Sequence, residues 1–292
     1  MPNPKDSTAP NARSRFKAQP KQGIQLGERD EALLTTLFLH QAMTRGQLQT
    51  LYFSSVPRCN ARLRQLFDWQ YVTRSFPPAA LYGAQGVYGL GKAGIPVAAR
   101  RLEMEERAVR ELCPKQTPQF LEHTLAIADF YLTTLAAVQS ASDVALDVWL
   151  TELQCRHEYE IRATGKREWR MEVFKPDGFL RLAPLPGEAY ASYFVEIDLG
   201  HTSANQFLKK LEHHQRYLES GLFRERFGTE DFHTLVVTVN KTRAENLRKL
   251  LAETGTNLFW FTTFEALAAS GLFAPVWASP QSEQKLKIVQ EF

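Results

Sequence analysis

From Asp30 onward apolar residues recur at helical spacing, with Leu33, Leu34, Leu37 and Phe38 forming one stripe behind a polar Arg29-Asp30 start. This predicts a first helix ending near His40. Thr44 is a good N-cap for a second helix, Arg45 to Tyr52, whose Leu48, Leu51 and Tyr52 repeat at three and four. Pro57 fits the first turn of a third helix running to about Trp69. On it Cys59, Leu63, Leu66 and Phe67 share a face, and Arg58, Arg62, Arg64 and Gln65 occupy the remainder. Tyr71 to Arg74 and Val87 to Leu90 are two short β-prone stretches, separated by a turn region holding Pro77, Pro78, Gly83 and Gly86.

The pattern then changes twice. Residues 98–110 are charged at most positions, as expected of an exposed helix with opposite charges at spacings of three and four, and Pro114 and Pro118 mark a linker. A strongly apolar helix begins at Phe120, with His123 near its start as a capping or packing residue in preference to a catalytic one. Beyond it the period shortens to two: Val144, Leu146, Val148 and Leu150 alternate with Ala145, Asp147, Trp149 and Thr151, predicting a strand. A polar stretch with Glu158, Glu160 and Glu168 reads as a loop or hairpin edge. A short strand after Asp177, another through Glu196, and a helix from Ser203 to Ser220 burying Phe207, Leu208, Leu211 and Leu218 follow. The remainder has a β-α-β rhythm: an apolar run Leu235 to Val239, a helix Arg243 to Glu253, a strand Leu258 to Thr262, a short helix Phe264 to Ala269, and a polar tail.

Three helices followed by a β-hairpin is the order of a winged helix-turn-helix, predicted over 29–97. In that architecture the third helix enters the major groove of double-stranded DNA and the hairpin touches the flanking backbone. Arg58, Arg62, Arg64 and Arg74 are therefore the DNA-contact candidates; the alternative is a solvated face on a protein-interaction module. The domains expected are a basic arm over 1–28, the winged helix, a helical linker over 98–118, an α/β domain over 119–280 within an α+β whole, and a tail over 281–292.

Composition narrows this little. With 292 residues, 44% hydrophobic and 23% charged, the chain is long enough for two cores, and its net charge of +3 does not by itself demand a nucleic-acid partner. The placement of charge says more: residues 1–29 hold Lys5, Arg13, Arg15, Lys17, Lys21 and Arg29 against Asp6 and Glu28, in a segment too poor in apolar residues to offset its chain entropy. No apolar run approaches the ~20 residues of a membrane helix. No apolar signal core follows the N-terminus, so a cytoplasmic location and no membrane partner are expected. Cys59, Cys113 and Cys155 are too scattered for a disulfide framework or a zinc spacing.

The candidate chemistry lies at Val195-Glu196-Ile197-Asp198-Leu199. Two carboxylates two residues apart in a strand share one face, and Asp177 offers a third at the start of a neighbouring strand. Asp177, Glu196 and Asp198 would hold a Mg²⁺ ion able to neutralise a developing phosphorane and activate water. Lys210 would orient that water or stabilise charge, and Lys210, His214 and Tyr217 would form one polar helix flank facing the acids. The bland reading is that Asp177 caps a turn, Glu196 and Asp198 pair with cations, and Lys210 is solvated.

The run Lys175-Pro176-Asp177-Gly178, then Phe194 to Thr202, then Lys210-Leu211 and Tyr217, with the earlier Leu121 to Asp129 motif and the N-terminal winged helix, resembles the replication-relaxation family of bacterial plasmids and other mobile elements. The resemblance spans roughly Gly27 to Trp277. It implies a DNA-binding protein of replication or DNA relaxation, with a C-terminal domain similar to the PD-(D/E)XK nucleases. Asp177 would be that motif's aspartate and Glu196 its acidic strand residue. Asp198 stands where the active nucleases place lysine, so Lys210 would have to substitute from the helix. Two functions follow: a DNA-binding maintenance factor with an inactive nuclease-like domain, or a Mg²⁺-dependent endonuclease aimed by its winged helix. A protein-interaction scaffold is a third, and a homodimer reading paired half-sites is open to the first two.

Overall fold

The computed structural model describes residues 23–76, 85–114, 117–162, 169–185 and 190–289. The basic arm, up to residue 22, and the turn residues Pro77, Pro78 and Gly83 lie outside the described residues, as do Lys166, Arg167 and Glu168. The chain is a mixed α and β protein that divides into two compact units, up to Pro118 and from Gln119 onward.

In the first unit α1 (Glu28–Leu39), β1 (Met43–Thr44), α2 (Arg45–Tyr52), α3 (Val56–Asp68), β2 (Val72–Ser75) and β3 (Val87–Leu90) follow in order. The strands form an antiparallel sheet in the order β1-β3-β2. The local causes are those the sequence offered. The Thr44 hydroxyl accepts from Gln47 N at 3.1 Å while the Gln47 side chain accepts from Thr44 N at 2.8 Å, closing both ends of a capping box on α2. Leu33, Leu34, Leu37, Leu48, Cys59, Leu63 and Leu66 are all fully buried and make the core. Gly91, just past β3, cannot carry a side chain, because a Cβ there would lie 2.3 Å from the Gln70 carbonyl.

The single exposed helix expected over 98–110 is instead two helices, α4 (Ile95–Arg101) and α5 (Glu106–Leu112). Glu103, at φ 54°, turns the chain between them. Ile95, Val97, Ala98 and Ala99 of α4 are buried, so charge density misrepresented a helix whose apolar half precedes its charged end.

His40, at the end of α1, is buried, and burial pushes its imidazole from 6.5 down to about 4. Between those values the unfolded chain binds a proton that the folded one does not. Stability contributed by the neutral ring is therefore present above about pH 6.5 and lost as pH falls toward 4, by about 3 kcal/mol at the low end. Thermal melts across pH 7 to 4 should show this acid limb, flattened in His40→Gln.

The second unit is built on a seven-stranded sheet. It opens with α6 (Pro118–Ser140), β4 (Val144–Thr151) and the one-turn α7 (Glu152–Cys155). The polar stretch after them is a two-stranded antiparallel hairpin, β5 (His157–Arg162) with β6 (Trp169–Phe174). β7 (Gly178–Pro184) and β8 (Ala191–Asp198) pair antiparallel, then α8 (Ala204–Glu219) and α9 (Leu222–Phe227) cross over to β9 (His233–Thr238), which runs parallel to β8. A second crossover, α10 (Lys241–Ala252), leads to β10 (Phe259–Thr263), parallel to β9. The helix α11 (Phe264–Ser270) and two short strands, β11 (Trp277–Ala278) and β12 (Lys285–Leu286), close the sheet edge, giving the strand order β12-β11-β10-β9-β8-β7-β4.

The central strands are covered on both faces, which explains their continuous apolar runs. Val195, Ile197, Leu235, Val237 and Trp260 meet Ala126, Ile127 and Phe130 of α6 and Leu267 of α11. Phe194, Val236, Phe259 and Phe261 meet Phe207 and Leu211 of α8 and Leu247 and Leu251 of α10. The expected polar tail is not one: Leu286 packs on the first of these cores, Ile288 is 2% exposed, and the Tyr193 hydroxyl donates to its carbonyl. Leu286, Ile288 and Val289, three apolar residues beside two lysines, were too few to show a period.

Candidate functional site

Asp177 precedes β7, and both its backbone and its side chain are fixed by β8: its N–H donates to Val195 O at 3.1 Å and its Oδ2 accepts from Ile197 N at 2.7 Å. Glu196 lies in β8 and is fully buried, its side chain on the sheet face covered by α8. On α8 the Ser203 hydroxyl accepts from Gln206 N at 3.3 Å as N-cap, and Phe207, Leu211, His214 and Tyr217 form the inward stripe. That corrects the expected polar flank. Only Lys210 of the three is substantially open to solvent, its side chain 36% exposed, while His214 is 1% exposed and Tyr217 fully buried. Tyr217 stacks on Phe174 at 4.1 Å and its hydroxyl meets His157 Nδ1 at 3.0 Å. The inward face tolerates polar heads because each has a partner.

These side chains form one continuous network. Lys210 Nζ donates to Asp177 Oδ1 at 3.0 Å and also contacts Glu196 Oε2. Glu196 Oε1 lies 2.6 Å from His214 Nε2, and His214 Nδ1 lies 3.0 Å from the Thr234 hydroxyl of β9. At the other end His123 of α6 places Nε2 3.2 Å from Asp177 Oδ2 and 3.2 Å from Ile197 O. Beside the network a cavity of about 260 Å³ is lined by Val173, Lys175, Glu196, Lys210 and His213 among others.

The electrostatics sort the members. Burial alone would raise the Asp177 carboxyl, but the Lys210 ammonium and His123 hold it far below the usual carboxylate range. Glu196 goes the other way, raised well above 4.5 by burial and by the Asp177 charge against the pull of Lys210. Burial, then Lys210, drives His214 well below 6.5 and keeps its ring neutral. A neutral ring has one acceptor nitrogen. The Thr234 hydroxyl can fill it at Nδ1, leaving Nε2–H for Glu196. Burial opposes the charge on Lys210, but the two acids outweigh it and raise its ammonium; likewise Asp177 raises His123 despite burial.

Asp198 shares the face of Glu196 but is drawn elsewhere. Arg243 of α10 grips it twice, Nε to Oδ2 at 2.6 Å and Nη2 to Oδ1 at 3.3 Å, and also donates to Thr202 O at 3.1 Å. Gly200 N donates to Asp198 Oδ1 at 3.0 Å. Asp198 thus ties the β8–α8 connection to the start of α10 and does not join Asp177 and Glu196. Among the described residues, no group of three or more His, Cys, Asp or Glu is arranged to hold a metal ion. The donor set explains this: the two acids that converge do so on an ammonium, and the third is spent on a guanidinium. As arranged, the residues do not fit a Mg²⁺ site.

The basic candidates of the first unit also separate. Arg58 on α3 is exposed and reaches Ser54 Oγ at 3.3 Å. Arg62 forks onto Asp30, Nε to Oδ1 at 2.9 Å and Nη2 to Oδ2 at 2.6 Å, and adds Gln25 O at 2.8 Å and Gln65 at 2.8 Å. Arg64, 40% exposed, pairs with Asp68 one turn on. Arg74 of β2 stacks over Phe67 at 4.6 Å and Phe76 at 5.3 Å.

Sequence reasoning missed His123, Thr234 and Arg243. His123 carried a faint signal, its place in the Leu121 to Asp129 motif; Thr234 of β9 meets His214 of α8 and Arg243 of α10 meets Asp198 only once the crossovers are folded, and neither gave one. The chain matches the family described as Replication-relaxation over residues 34–231. No curated protein and no solved structure matches it.

Proposed function

Because the chain belongs to the replication-relaxation family, we propose that it acts in replication or relaxation of a mobile element's DNA by binding double-stranded DNA. In this reading the first unit is a winged helix and the second a nuclease-like domain that does not cut. The order α1–β1–α2–α3–β2–β3 on a β1-β3-β2 sheet supports the first part, with Arg58 exposed on α3 and Arg74 on the hairpin as the contacts. Arg64 stands next to them, whereas Arg62 serves the fold.

The observation that carries the second part is Lys210 between Asp177 and Glu196. Phosphodiester cleavage needs a nucleophilic water and a cation facing the substrate phosphate. Here a cation of the chain itself occupies the space between the two acids, paired with the Asp177 charge and in contact with Glu196. The C-terminal unit then contributes a rigid body to a nucleoprotein assembly.

Supercoiled plasmid with Mg²⁺ tests both parts. The wild-type protein should retard the plasmid at low salt, where phosphate contacts are strongest, and leave it supercoiled. Arg58→Ala should weaken the shift by about tenfold with an unchanged melting temperature. Nicking that disappears in Asp177→Ala and Glu196→Ala would replace this reading with the Mg²⁺-dependent endonuclease. No shift even at low salt would leave the protein-interaction scaffold.

A further inference from the structure

We propose that Lys210 is a built-in substitute for a divalent cation, and that removing its ammonium turns Asp177 and Glu196 into a metal site. The inference rests on the reading of the second unit as nuclease-like but not cutting, and reaches past it to the reason.

Three observations carry it. First, the ammonium occupies the point where the two carboxylates converge, 3.0 Å from Asp177 Oδ1 and in contact with Glu196 Oε2. Asp177 is 2% exposed and Glu196 fully buried, so neither has water as an alternative partner. Two acids so placed require a cation or a proton. Second, the acids are positioned without Lys210. Asp177 is fixed by Ile197 N at 2.7 Å and Glu196 by His214 at 2.6 Å, so the oxygens that face Lys210 are held by the sheet and the helix rather than by the lysine. Third, the cavity of about 260 Å³ lies against Lys210 and Glu196, which gives an ion a path inward and room for the waters that Mg²⁺ or Mn²⁺ retains.

Truncating the lysine would therefore leave two hard carboxyl oxygens in fixed positions beside an opening. That is the ligand chemistry a small divalent ion takes. In the native chain the same place is filled by an intramolecular cation at an effective concentration no free ion matches.

The test uses the full chain with MnCl₂ as probe and involves no DNA, so its outcome is independent of whether the protein binds DNA. By electron paramagnetic resonance, the wild type should leave Mn²⁺ free, Lys210→Ala should bind one Mn²⁺ per chain, and Lys210→Ala with Glu196→Gln should lose it. In parallel, MnCl₂ should raise the melting temperature of Lys210→Ala and leave that of the wild type unchanged. If Lys210→Ala is unfolded in EDTA, refolding on addition of MnCl₂ supports the proposal and failure to refold overturns it. A wild type that binds one Mn²⁺ and loses it in Asp177→Asn, or a folded Lys210→Ala that binds none, also overturns it.

Discussion

Replacing Asp177 by alanine should destabilise the second unit by about 3–5 kcal/mol, the range for breaking one partner out of a buried ionic network. The carboxylate accepts from Ile197 N at 2.7 Å and from Lys210 at 3.0 Å, and lies 3.2 Å from His123, so its loss strands a backbone donor and leaves Lys210 with one acid. For a unit of this size the melting temperature should fall by about 10 °C. Asp177→Asn keeps an acceptor for Ile197 N–H and should lose less. A double variant, Asp177→Ala with Lys210→Met, should recover part of the loss, because both ends of the pair are then apolar. If Asp177→Ala melted within a degree of the wild type, the network would be a solvated surface feature and the account of its burial would fail.

The second large effect is expected at Arg62, which sequence alone could not tell from Arg58. Arg62→Ala should lower the stability of the first unit by about 3 kcal/mol, since Asp30 is 3% exposed and the guanidinium is its forked partner. Burial alone would raise the Asp30 carboxyl, but Arg62 and the Gly27 N–H hold it below its usual value, which marks it as charged in the folded state. A double-mutant cycle between Asp30→Ala and Arg62→Ala should return a coupling above about 1 kcal/mol. Plasmid retardation by Arg62→Ala, measured well below its melting temperature, should match the wild type, in contrast to Arg58→Ala. An Arg62→Ala protein that melts normally and binds DNA weakly would reverse these assignments.

The contrast between Arg58 and Arg62 also shows how far the chain could be read. Both stand on the polar side of α3, four residues apart, and a helical period places them on one flank. What distinguishes them is Asp30, 32 positions away. The same holds for the acids: the strand period correctly put Glu196 and Asp198 on one face, yet α8 presents Lys210 and His214 to the first and α10 presents Arg243 to the second. Helix period placed Leu211 and Phe207 inward, but ranked His214 and Tyr217 as a polar flank because their partners, Thr234, His157 and Phe174, belong to other strands.

What the sequence determined by itself is what depends on near neighbours. Period, caps and breakers located α1, α2, α3, the β2–β3 pair and the β-α-β succession of the second unit, because each of those signals acts over a few residues. Glu196 was likewise visible as a carboxylate out of place in an apolar strand, and Asp177 as an acid at the start of the neighbouring one. Tertiary structure alone decided which cation each buried charge meets. That choice depends on crossover helices bringing together residues far apart in the chain, and in a low-dielectric interior it governs whether two carboxylates make a metal site or, with Lys210 between them, a closed ion pair.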